Sequence, residues 1–153
     1  MKHLYSFLIA LCLGISIAQT AEISRLIENG EFEAAYNSAL AQADIEGFNL
    51  AARAANFYAD FLAPDSEKVN WYARAEEASK QSLKLEPNNA LGYLYLAQAQ
   101  GRLSQFKGIL ENISLADAIK TNAQKALELD PNLSEATMTL AIWHSELVKQ
   151  GIG

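Results

Sequence analysis

The chain has 153 residues, with 12 Lys and Arg against 18 Asp and Glu, a formal charge of −6, and half of its residues apolar. This composition excludes a disordered tail, a collagen-like rod and a polybasic nucleic-acid binder, and the length suits one domain with a real core. The only cysteine is Cys12, so no disulfide framework can form.

The run from Leu4 to Leu13 carries no charge, Gly14 breaks it, and Ser16 and Ala18 are small residues two apart. This three-part pattern predicts a secretory signal over 1–18, cleaved after Ala18. It implies an exported protein, periplasmic or secreted and bacterial in look, with no stable membrane insertion after cleavage. A retained membrane anchor fits less well, because the stretch turns polar at Gln19-Thr20. The rest, 19–153, reads as one helical domain without cysteine, which leaves no thiolate nucleophile or thiolate metal site.

Apolar residues follow helical spacing at Ile23, Leu26 and Ile27 and again at Leu91, Leu94 and Tyr95. No stretch alternates as a half-buried strand does, so the chain is expected to be all-α. The pattern predicts seven helices, near 21–29, 31–44, 48–62, 66–85, 90–103, 114–130 and 134–149. Ser114 with Asp117 reads as an acidic capping box opening the sixth. Two stretches align: Ala78 to Asn88 and Asn122 to Asn132 both end an amphipathic helix in Leu-x-Leu-acid-Pro-Asn. Proline cannot extend the helix, and it pushes the residue before it out of helical geometry. Asn88 or Asn89, and Asn132 or Ser134, are then the caps of the helices that follow.

These endings resemble the tetratricopeptide repeat family, whose unit is a helix pair of about 34 residues. Tyr93, Leu96 and Ala97 match its first-helix signature, as do Thr137, Leu140 and Ala141. Gly30-x-Phe32-x2-Ala35 matches its inter-helix turn. The resemblance implies a right-handed solenoid of antiparallel helix hairpins. Pro87 and Pro131 are 44 residues apart, so the units are irregular. The excess falls around Ser104 to Ile113, with a second around Ala63 to Asn70. The chain looks most like a divergent bacterial secreted branch. Related repeat proteins include periplasmic subunits associated with TRAP transporters and eukaryotic regulators of microtubule dynamics. In such stacks Ala35, Ala75, Ala97, Ala126 and Ala141 fall where backbones approach closely, and Tyr93, Leu96, Leu127 and Leu140 fill the gaps. The last helix has apolar surface left over, which fits either a chain truncated at its C-terminus or a homo-oligomer built through that helix.

Chemistry has little to stand on. His144 and Glu146 are two apart and share no helix face, so His144 is expected to pack rather than act as a base or a metal ligand. No calcium loop, phosphate loop or nucleophile elbow occurs, so no catalytic residue, metal or cofactor is expected. The sequon at Asn112 is expected to be idle. The resemblance instead implies a groove lined by the first helices of each unit. By motif position this offers Leu94, Tyr95, Gln98 and Arg102, then Met138, Ile142, Ser145 and Lys149, with Arg53 and Arg74 as further basic candidates. The function expected is therefore an exported, non-catalytic scaffold that binds a protein or peptide partner and, being acidic, not nucleic acid. The alternative is a periplasmic accessory subunit of a transport or envelope-assembly system holding a small ligand.

Overall fold

The computed structural model describes residues 17–106 and 109–149, and the side chains among them outside 109–114. These residues form seven α-helices and no strand: α1 (17–28), α2 (Phe32–Gln42), α3 (Ile45–Phe61), α4 (Asp65–Leu85), α5 (Ala90–Leu103), α6 (Ile109–Leu129) and α7 (Ser134–Lys149). A 3₁₀ turn, Ser104–Phe106, follows α5. The expected all-α class holds. The expected signal segment lies outside the described residues up to position 16, as do Cys12 and Gly151 to Gly153. Among the described residues no helix is long and apolar enough to cross a membrane.

Local chemistry sets the helix ends. At the end of α1, Gly30 takes φ +80°. Its N–H bonds the Ile27 carbonyl at 3.1 Å and the Glu31 N–H reaches back to Leu26 at 2.8 Å, a Schellman turn that glycine adopts without strain. Asp44 opens α3 by accepting the Gly47 N–H at 2.7 Å. The two acid-Pro-Asn stops adopt one geometry: Asn88 N–H donates to Glu86 and Asn132 N–H to Asp130, each at 3.0 Å. Asn89 then caps α5, accepting from the Leu91 N–H. Ser134 does not cap with its side chain; its hydroxyl donates to the Glu135 carboxylate.

Each helix packs on the next, and alternate helices also touch, α3 with α5 and α5 with α7. The buried contacts between helices are rich in alanine. Ala51, Ala52, Ala54, Ala55 and Ala59 of α3 are fully buried, as are Ala35, Ala75, Ala97 and Ala126. Large side chains fill the space around them, chiefly Ile23, Ile27, Phe32, Trp71, Tyr72 and Leu94. A buried polar cluster ties three helices together. Ser82 Oγ and Asn89 Nδ2 both donate to Asn49 Oδ1, at 2.8 and 2.9 Å.

Two local expectations fail, at Ser114 and at Ala141. Helix α6 opens at Ile109 rather than 114, so Ser114 lies inside the helix and cannot cap it. The surplus residues are taken up as the 3₁₀ turn and as extra helical length, since α4 and α6 each run 21 residues. Ala141 is exposed rather than at a close approach; among the described residues α7 packs on α6 and touches α5, and Ala141 faces away from both.

Candidate functional site

Helices α3, α5 and α7 border a cleft of about 500 Å³, with α6 behind it. Helix α7 presents Glu135, Met138, Thr139, Ile142 and Glu146 to it, residues three or four apart and therefore on one face. Met138 and Ile142 stay 62% and 54% exposed, which places apolar surface in the mouth. Deeper in, Trp143 lines the cleft and donates its indole N–H to the Ala116 carbonyl of α6 at 2.8 Å. The facing wall is Asn56, Phe57 and Asp60 of α3, and the floor includes Ala97, Gln98, Gly101 and Arg102 of α5.

Asp60 organises one end. Its carboxylate takes the Arg102 guanidinium on both oxygens, Nε to Oδ1 at 3.1 Å and Nη2 to Oδ2 at 3.2 Å. It also accepts the Tyr72 hydroxyl at 2.7 Å. Burial pushes the Tyr72 hydroxyl pKa far up; the Asp60 hydrogen bond and charge add to this, and Arg102 opposes it. The clamp joins the C-terminal halves of α3 and α5 to α4. Asn56 is buried, donates to the Tyr95 carbonyl at 3.4 Å, and leaves its Oδ1 without a hydrogen-bond partner.

Four of the eight residues expected from sequence meet here: Gln98, Arg102, Met138 and Ile142. Leu94 does not, because it is 1% exposed and packs with Ala126 and Ala136. Tyr95 is largely enclosed against the first core cluster. Burial raises its hydroxyl pKa, Arg53 pulling against this and Glu135 adding to it. Ser145 and Lys149 are exposed and do not line the cleft, and Lys149 pairs with Glu146 at 2.6 Å. Arg53 lies over the ring of Phe57, itself a cleft residue, and Arg74 lies over Trp71 at 4.3 Å; neither arginine lines the cleft. His144 is exposed and meets the Trp143 ring edge-on at 4.7 Å, contrary to its expected packed position. No group of three or more His, Cys, Asp or Glu that could hold a metal occurs among the described residues.

The α3 wall was missed. Phe57 and Asp60 carried the signal, an aromatic and a carboxylate on one helical face. On α7 the stripe through Met138 and Ile142 extends to Glu135, Thr139 and Glu146 by spacing alone.

A sequence model of the family described as regulator of microtubule dynamics protein 1-3 matches residues 19–151. A protein named regulator of microtubule dynamics protein 3, from Rattus norvegicus, is 27% identical over 92 residues, which are 60% of this chain. The match covers 20% of the rat protein, so the chain spans only a small part of that relative's length. These findings correct two expectations. The family matched is that of the microtubule regulators and not the tetratricopeptide repeats: short α-hairpins in a row need alanine approaches and proline stops whatever their family, so those motifs did not identify one. The exported, periplasmic or secreted bacterial assignment falls with it, since it rested on the apolar start and a bacterial look, and the relative is an animal protein.

Proposed function

Because the chain belongs to the family of regulators of microtubule dynamics proteins 1–3, we propose that it is a non-catalytic interaction module that holds a segment of a partner protein in the α3–α5–α7 cleft. Its part in regulation is then to bring that partner to a microtubule-regulating assembly. The observation that carries this reading is the cleft itself, whose mouth keeps Met138 and Ile142 in water beside the aromatic wall of Phe57. Exposed apolar side chains gathered around a concavity mark binding surfaces more often than scattered ones do. The contacts of α3 with α5 and of α5 with α7 favour antiparallel hairpins in a right-handed solenoid, with these helices along its inner side. The net charge of −6 disfavours nucleic acid as the partner.

The test is selection of displayed random dodecapeptides on the purified chain, followed by binding to the double variant Met138→Glu/Ile142→Glu. The expected result is enriched peptides whose binding the variant loses at unchanged melting temperature. Equal binding by the variant, or no enrichment, overturns the reading.

A further inference from the structure

Glycine inside a helix weakens it relative to alanine, so a helical glycine calls for a reason. Of the four described glycines, three have one. Gly30 sits at positive φ. A Cβ on Gly47 would lie 2.5 Å from the Ala39 carbonyl oxygen, and one on Gly92 2.9 Å from Leu83. Gly101 differs. It lies within α5, and a Cβ there would meet nothing within 4 Å. It lines the cleft together with Ala97, Phe57 and Ile142.

We infer that Gly101 is a specificity notch: its missing side chain makes room for one bulky, uncharged side chain of the partner segment. This rests on the reading that the cleft binds such a segment. The charges around the cleft favour an uncharged anchor. Asp60 and Arg102 hold each other, and Glu146 holds Lys149. Glu135 stands in the first turn of α7, where the helix field favours a carboxylate. The other lining side chains are uncharged, apolar at Phe57, Ala97 and Ile142 and polar at Gln98 and Ser104, so a leucine, phenylalanine or tryptophan gains contact there without stranding a charge.

The probe is the enriched dodecapeptides, measured against Gly101→Ala and Gly101→Leu. Gly101→Ala is expected to raise the melting temperature by roughly 2–4 °C, as an unhindered helical methyl should. It should also weaken the peptides severalfold. Gly101→Leu should weaken them by roughly tenfold or more, and replacing the peptide's bulky residue by alanine should erase that difference. A lower melting temperature for Gly101→Ala, or wild-type affinity in both variants, overturns the inference. If Met138→Glu/Ile142→Glu abolishes binding while the Gly101 variants do not weaken it, the notch fails and the cleft reading survives. If no variant changes binding, or no peptide is enriched, both fail.

Discussion

Helix α3 buries eight of its 17 residues, whereas α7, among the described residues, buries one of its 16, Ala136. Both are rich in apolar side chains. The difference is one of neighbours: α3 is held between α2, α4 and α5, while α7 rests on α6 and touches α5. On α3 the alanines are consumed by packing, while Phe61 at its end stays exposed. In the last helix Met138 and Ile142 are left exposed at the cleft, the surface proposed above for recognition.

The sharpest way to break this contrast is to cut into the aromatic core. Trp71 packs against Tyr58 at 4.3 Å and Tyr36 at 5.3 Å between ring centroids. Trp71→Ala should cost about 3–5 kcal/mol by urea denaturation; a loss below 1 kcal/mol would mean that this core is loosely packed. Next comes overpacking. Ala75 has no exposed surface, so Ala75→Leu should cost about 1–3 kcal/mol.

A smaller effect follows from alkali. Tyr72 has its pKa raised in the folded chain above the ordinary value of 10. Its contribution is intact below pH 10 and is lost as pH rises from there toward the folded value, because the unfolded chain gives up the proton first. Urea stability should therefore fall more steeply between pH 9.5 and about 11 in the wild type than in Tyr72→Phe; parallel profiles would remove this linkage. The smallest change is expected at Ala141, which is exposed on α7. Ala141→Leu should alter stability by less than about 0.5 kcal/mol. If it cost as much as Ala75→Leu, the two helices would not differ as described.

These alanines also show what could be read from sequence. Ala97 and Ala141 occupy equivalent motif positions, yet Ala97 has no exposed surface and Ala141 is exposed, so the motif gives the position and the neighbouring helices give the burial. Helices α5 and α7 fall at the expected 90–103 and 134–149, because acid-Pro-Asn stops and periodic leucines mark both ends. Helix α6 starts early because a capping signal at Ser114 looked like a beginning while helix-forming residues already preceded it. On α3 the five buried alanines share one broad face and Phe57 and Asp60 lie on the other, so the apolar pattern marks the core and not the cleft wall. That hid Phe57 and Asp60. Leu94 was misplaced for a related reason: motif position gives a face but not the helix that covers it, and α6 and α7 supply the residues that enclose this one.

The polar cluster of Asn49, Ser82 and Asn89 has a mechanical consequence. It bolts the start of α5 to α3 and α4 with bonds of 2.8 and 2.9 Å, while the Asp60 clamp secures the other end of α5 to α3. Two jaws of the cleft are thus one stiff block. Among the described residues α7 is tied to another helix by one side-chain hydrogen bond, Trp143 to Ala116 of α6, which makes it the least fastened wall.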